Sequence, residues 1–233
     1  MARVFIGVGH GGSDSGAVGN GLRESIVNLN MALAMKAELE RHGVTVGISR
    51  VIDEADRLAE EIAEANAFRP DYAVEVHNNS GGGDGFEAYY QTNSYTAASR
   101  RLAVSIETEV KAIGQNSRGV KTRLGSSGLD YYAWLREVKA PAVLCEGAFL
   151  DSSDSAIINT FEKQQRFGIA YPKGTLAMLG IAWRPPYDPN VPSDWARAAW
   201  EQATALKITD GLRPHDDATR EQVIVMLKRA GAF

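Results

Sequence analysis

Val4-Phe5-Ile6-Gly7-Val8-Gly9-His10-Gly11-Gly12 reads as a buried strand that delivers a histidine to a loop. Val4, Phe5, Ile6 and Val8 have the branched and aromatic character of a strand covered on both faces, and the glycines from position 9 to 21 end it in an open loop. His10 therefore stands where strand becomes loop. In open α/β sheets ligands bind beyond the carboxyl ends of the strands, so a histidine there is held by rigid structure on one side and reached by substrate on the other.

Outward from this strand, residues 24–42 carry Leu29, Ala32, Leu33, Met35 and Leu39 as a broad apolar helical stripe, with Gly43 as the stop. Residues 44–52 return as a strand, 54–68 as a helix rich in Ala and Glu, and 72–77 as an apolar strand after Pro70-Asp71. This βαβαβ order predicts parallel strands with right-handed crossovers: an α/β fold whose mostly parallel, twisted sheet has helices on both faces. The glycine loop at 81–85 is too short for a helical crossover, so the strand at 86–91 is expected to run antiparallel. Then come a helix at 94–113, a short strand at 119–123, a buried strand at 141–149 and a helix at 153–179 in which Pro172 marks a kink or break. Tyr131, Tyr132 and Trp134 follow a flexible glycine loop and suit either a substrate groove or ordinary packing.

Composition narrows the function classes. A chain of 233 residues with 44% hydrophobic content can form one sizeable α/β domain plus a small appendage. Its formal charge of −4, with no long basic run, lacks the footprint of a nucleic-acid binder. The single Cys145 has no partner for an intramolecular disulfide, and no signal-peptide pattern or transmembrane-length apolar run is visible. Cytoplasmic synthesis without a signal peptide is expected, with no membrane partner.

Four groups are expected to converge on one sheet edge: His10, Glu24 at the start of the first helix, His77 ending the third strand, and Glu146 in the last. Two imidazoles and a carboxylate are a familiar ligand set for catalytic zinc, which keeps a position open for water or substrate. A second carboxylate nearby can take a proton from that water and pass it to a leaving nitrogen. Glu146 interrupts the apolar run Ala142-Val143-Leu144-Cys145-Glu146-Gly147-Ala148-Phe149, where a carboxylate is costly without a partner. Cys145, facing the other way, reads as a small apolar filler, and His42 and His215 as solvated.

These residues carry a resemblance. Gly9-His10-Gly11-Gly12 with Asp14, Gly16 and Ala17; Gly21 and Glu24; His77 with Asn79; Gly85-Phe86-Glu87; Arg118-Gly119; and Pro141-Ala142-Val143-Leu144 leading to Glu146 and Phe149 look like the zinc-dependent N-acetylmuramoyl-L-alanine amidases of bacterial cell walls and phage endolysins. The resemblance covers residues 1–181. It implies Zn2+ bound by His10, Glu24 and His77, with Glu146 as the catalytic carboxylate. The implied reaction is hydrolysis, by a zinc-activated water, of the peptidoglycan amide joining muramic acid to L-alanine, as in a phage or prophage endolysin reaching the wall after holin-type release. Two positions depart from the pattern: Gly7-Val8 replaces an Asp-Pro, and Glu75 replaces a Ser two residues before the second histidine. By strand alternation Glu75 shares a face with His77, as its partner or as a competing ligand. Rival readings are a zinc peptidase or carboxypeptidase acting on the stem peptide, and a non-catalytic wall-binding protein.

Beyond residue 181, four of the eight prolines (Pro185, Pro186, Pro189, Pro192) mark a semi-rigid linker at 182–192. Residues 193–233 read as a helical hairpin, with Trp195, Ala199, Ala203 and Leu206 on one stripe, Val223, Met226, Leu227 and Ala230 on another, and capping-box spacing at Thr219 and Gln222. Trp195-Ala196, Ile208-Thr209-Asp210-Gly211, Pro214 and Thr219-Arg220-Glu221 resemble a single S-layer homology repeat. That resemblance implies binding to a secondary cell-wall polymer, and a hairpin this small is also expected to pack against a partner, such as a second copy in a homo-oligomer.

Overall fold

Alternation along the first strand sorts the core into two layers. β1 (Arg3–Val8) sends Val4, Ile6 and Val8 to one face and Phe5 to the other. The computed structural model describes residues 1–55, 57–186, 191–192, 196–212, 214 and 216–232. They form two units, Met1–Trp183 and Arg184–Phe233.

In the first unit β1 is followed by a two-residue hairpin, β2 (Val18–Gly19) and β3 (Leu22–Arg23), then α1 (Glu24–Arg41), β4 (Thr45–Ile48), α2 (Leu58–Phe68) and β5 (Tyr72–Asn79). β6 (Phe86–Tyr90), α3 (Thr96–Ala112), β7 (Ser117–Lys121), α4 (Ala133–Glu137), β8 (Ala142–Phe149), a 3-10 turn (Ser153–Ile157) and α5 (Phe161–Met178) complete it. The six-stranded sheet has the order β4-β1-β5-β8-β6-β7. β4, β1, β5 and β8 are mutually parallel; β6 runs antiparallel to β8, as its short glycine loop requires, and β7 follows β6 in parallel. The expected α/β fold with a mostly parallel sheet is the fold observed.

One face is covered by α1, α3 and α5, whose Met31, Met35, Leu39, Leu102, Ile106, Phe167 and Tyr171 are buried against Val4, Ile6, Val76 and Val143. On the other face α2 and α4 bring Ile62, Ala65, Trp134 and Leu135 against Phe5, Ala73 and Leu144. Cys145 is buried in the first cluster, where burial pushes its thiol up, in keeping with an apolar filler. Among the described residues no helix is long and apolar enough to cross a membrane.

Several elements differ from their sequence-based bounds for local reasons. β4 ends at Ile48 because side chains then take over the hydrogen bonding of β1: Ser49 Oγ accepts from the Val8 N–H at 3.0 Å, and the buried Arg50 guanidinium donates to the carbonyls of Val8 (3.1 Å), Gly9 (3.3 Å) and Ser25 (2.7 Å). α2 starts at Leu58 rather than 54, since Asp53 is used to brace the glycine loop through the Gly12 N–H (2.9 Å). The last helix breaks near residue 160, where Thr160 caps α5, and runs on through Pro172. His42 is not solvated: its side chain is 4% exposed, and Nδ1 lies 2.8 Å from the Glu38 carbonyl, so the ring caps the end of α1. His215 and Trp195 lie outside the described residues.

In the second unit α6 (Arg197–Ala205) and α7 (Arg220–Arg229) are short helices in which no residue is buried. The capping box is formed: Thr219 Oγ1 accepts from the Gln222 N–H, and Gln222 Oε1 accepts from the Thr219 N–H at 2.7 Å. Val223, Ile224, Val225 and Leu227 of α7 are exposed.

Candidate metal centre

The carboxyl ends of β1 and β5 and the amino end of α1 meet at one place. His10, two residues past β1, has φ 63°, a left-handed conformation rare for residues other than glycine and found where surrounding structure over-determines the backbone. Its ring stands nearly perpendicular to that of His77, with centroids 5.0 Å apart. Glu24 opens α1, where the helix end favours a negative charge. Its Oε1 accepts from the Asn78 N–H at 3.0 Å and faces His77 Nδ1 at 3.0 Å; Oε2 accepts from the Ala17 N–H at 2.9 Å and faces His10 Nε2 at 3.3 Å. One potential ligand atom from each of His10, Glu24 and His77 lies within 4.8 Å of the others.

Glycines make this convergence possible. A Cβ on Gly9 would lie 2.1 Å from Cε1 of His77, and one on Gly16 would lie 2.5 Å from Glu24 Oε2 and 2.6 Å from His10 Cδ2. No larger residue fits at either place. Two imidazoles and one carboxylate, packed into a cradle that leaves one side to the cleft, fit a zinc ion. The electrostatics agree. Burial alone would push the Glu24 carboxyl up, but the hydrogen bonds and charges of His10 and His77 outweigh it and hold the group well below the usual carboxylate range. His10 is raised chiefly by its hydrogen bond to Glu24; for His77, burial is overcome by Glu24 and Glu75, and it too is raised. The site favours positive charge.

A cleft of about 460 Å³ opens over the three residues, with Glu75, Tyr132 and Glu146 also in its walls. Strand alternation puts Glu146 on the cleft side: it stands beside His77 across the parallel β5–β8 pair, and its Oε2 is buried with no hydrogen-bond partner. Burial first, then the negative charges of Glu24, Glu75 and Glu87, push its carboxyl up to about 7 against the opposing pull of His77. Across β8's other edge Glu87 stands directly opposite Glu146, and its charge is met by Arg118, by Lys121 at 2.7 Å and by the Tyr89 hydroxyl at 2.8 Å. Of the three aromatics with two open readings, Trp134 is core, Tyr132 lines the cleft, and Tyr131 is exposed with the Arg123 guanidinium stacked 3.7 Å from its ring centroid.

His10, Glu24, His77 and Glu146, all singled out from sequence, are brought together. Asn28 and Asn78 were missed. Asn28 Nδ2 donates to the Gly9 carbonyl at 2.9 Å, Asn78 Nδ2 donates to Asn28 Oδ1 at 2.8 Å, and Asn78 Oδ1 accepts from the Ala148 N–H at 3.1 Å. This buried ladder ties β1, α1, β5 and β8 beneath the site. The available signal was the spacing of Glu24 and Asn28, four apart on one helix face.

The sequence profile of the N-acetylmuramoyl-L-alanine amidase family matches residues 4–176. The chain belongs to this family. The match contains all four site residues and stops before the second unit. Among relatives of this chain, the sporulation-specific N-acetylmuramoyl-L-alanine amidase of Bacillus subtilis is 38% identical over 159 residues, 67% of this chain and 59% of that protein. The endolysin of Bacillus phage SPP1 is 35% identical over 159 residues, 66% of this chain and 57% of that protein. The chain thus spans somewhat under two thirds of the length of these relatives. Among solved structures, Cwp6 from Clostridium difficile superposes with a TM-score of 0.74 at 34% identity, covering 76% of this chain and 29% of that one.

Proposed function

We propose that this family member is a zinc-dependent hydrolase of peptidoglycan, cleaving the amide between N-acetylmuramic acid and L-alanine. The observation that carries the reading is the meeting of His10, Glu24 and His77 beside the unpartnered carboxylate oxygen of Glu146. His10, Glu24 and His77 would hold the ion. When bound, zinc supplies positive charge that acidifies water and polarises the carbonyl under attack. Glu146 takes the proton released as water attacks the carbonyl carbon and delivers it from Oε2 to the departing amine of L-alanine, so the carboxyl ends as it began. The Asn28–Asn78 ladder keeps Glu24 and the strand ends in register, and Tyr132 walls the cleft in which the amide lies. Action on the wall in a phage or prophage setting is supported by the similarity to the phage SPP1 endolysin.

To the unit Arg184–Phe233 we assign targeting or assembly, through a secondary wall polymer or a second copy of the chain. Support comes from its S-layer-like sequence, the exposed apolar residues of α7 and the placement of every site group before it. The test of the central reading is digestion of purified sacculi with metal-free and zinc-reconstituted protein, followed by mass spectrometry of the products. Zinc-dependent release of free L-alanine amino termini is expected. New ends at an interior stem residue would indicate a peptidase, and binding without any new ends a wall-binding protein.

A further inference from the structure

Resting on the zinc reading above, we infer that Glu75 is a positioning residue that holds the metal-binding imidazole of His77 through its far nitrogen. His77 Nδ1 faces Glu24, and the other ring nitrogen, Nε2, faces Glu75 Oε1 at 3.4 Å. An imidazole that gives one nitrogen to a cation carries its hydrogen on the other, and a carboxylate there fixes the tautomer, the ring plane and the basicity of the ligand. His10 has the same arrangement: Nε2 faces Glu24 and Nδ1 lies 2.8 Å from Asp14 Oδ2. Each imidazole of the centre is thereby held between Glu24 and a carboxylate of its own.

The two outer carboxylates differ in cost. The Asp14 side chain is 65% exposed, whereas that of Glu75 is 4% exposed and its Oε2 is buried with no hydrogen-bond partner. A carboxylate so enclosed is expensive to keep unless its charge is used, and the charged centre beside it is the use on offer. Room for it comes from the opposing strand. Gly7 stands in register with Glu75, and a Cβ there would lie 2.8 Å from Glu61 Oε1, 3.1 Å from Glu75 Cγ and 3.1 Å from the Trp134 ring, so the glycine leaves room for both buried carboxylates. The departure at position 7 thus places a residue without a side chain in register with the long, buried, charged side chain at position 75.

The test is the zinc affinity of the full chain, measured by competition with a chromophoric chelator, for wild type, Glu75→Met, Glu75→Gln and Glu24→Ala, with the absorption spectrum of each cobalt-substituted form. Met fills the space of Glu without accepting a hydrogen bond; Gln keeps an acceptor. Loss of such a partner typically weakens metal binding about 10- to 100-fold, so Glu75→Met is expected to raise the zinc Kd at least about tenfold and Glu75→Gln to recover part of that, both keeping the wild-type cobalt bands. Wild-type affinity in Glu75→Met would reduce Glu75 to packing and overturn the inference. So would a loss matching Glu24→Ala with shifted cobalt bands, which would make Glu75 a ligand. Absence of zinc binding by wild type would instead overturn the zinc reading, and this inference with it. Should Glu75→Met fail to fold, the near-isosteric Glu75→Gln decides: a raised Kd with unchanged bands supports the inference, an unchanged Kd overturns it.

Discussion

Glu146 and Glu87 face each other across β8 and β6, yet their surroundings are opposites. Glu87 is a closed arrangement: Arg118, Lys121 and Tyr89 answer its carboxylate, and although burial alone would raise the group, these partners hold it below the usual range. Glu146 is open. Among the described residues no Lys or Arg is bonded to it and one oxygen has no hydrogen-bond partner, and burial pushes its carboxyl up. Like charges directly opposite on adjacent strands repel, and neutralising one of them is how the sheet tolerates both. On the proposed mechanism, the difference separates a carboxylate that stabilises the fold from one kept available for chemistry, although both occupy buried strands of one sheet.

Substitutions on the two sides of β8 should therefore have different consequences. The largest effect belongs to the cleft side. Glu24→Ala removes the anionic member of the proposed ligand set and leaves two imidazoles, so zinc should be lost on dialysis against a mild chelator, and sacculus hydrolysis should fall to background. Retained stoichiometric zinc would mean the wrong carboxylate has been assigned.

On the other side, Glu87→Gln should act on stability. Arg118 and Lys121 have side chains a third to nearly half exposed and can turn to water, which limits the cost to about 1 kcal/mol. That corresponds to a fall in Tm of roughly 2–4 °C at pH 7 for a domain of this size. Because the Glu87 carboxyl is depressed in the folded state, its contribution is complete above the unfolded carboxylate range near pH ~4 and is lost as pH falls through the lower folded value. Wild-type and variant melting curves should converge in acid. A Tm difference that persists undiminished at low pH, or a large loss of hydrolysis in Glu87→Gln, would erase the contrast with Glu146.

The smallest effect is expected from removing the second unit. A chain ending at Trp183 should keep its zinc and hydrolyse soluble muropeptides at the wild-type rate, while lysis of whole cells or the apparent mass falls. Loss of zinc in such a folded fragment would place part of the centre beyond Trp183.

Much of the contrast was legible in the sequence, and what was not has a common cause. The apolar run around Glu146 announced a buried carboxylate, and the strand-to-loop step at His10 announced an edge position, because both signals are local. The early end of β4, the late start of α2 and the capped His42 were not legible. Each depends on a side chain bonding to backbone, and in the first two the partner lies more than twenty residues away, as with Arg50 and the carbonyls of Val8, Gly9 and Ser25. Such bonds leave no periodicity. The Asn28–Asn78 ladder is hidden in the same way, since an asparagine within a helix resembles a solvated one until its partner strand is in place.

The central claim is that Glu146 moves the proton while His10, Glu24 and His77 hold the metal. It is tested most directly by measuring zinc content and turnover together in Glu146→Gln, which keeps the side chain's shape and removes its ability to accept a proton. Acid–base assistance is typically worth about 10²–10⁴-fold, so turnover should fall at least roughly a hundredfold with one zinc per chain retained and sacculus affinity near wild type. A folded, zinc-loaded Glu146→Gln protein that cleaves the muramoyl–alanine amide at near the wild-type rate would contradict the account.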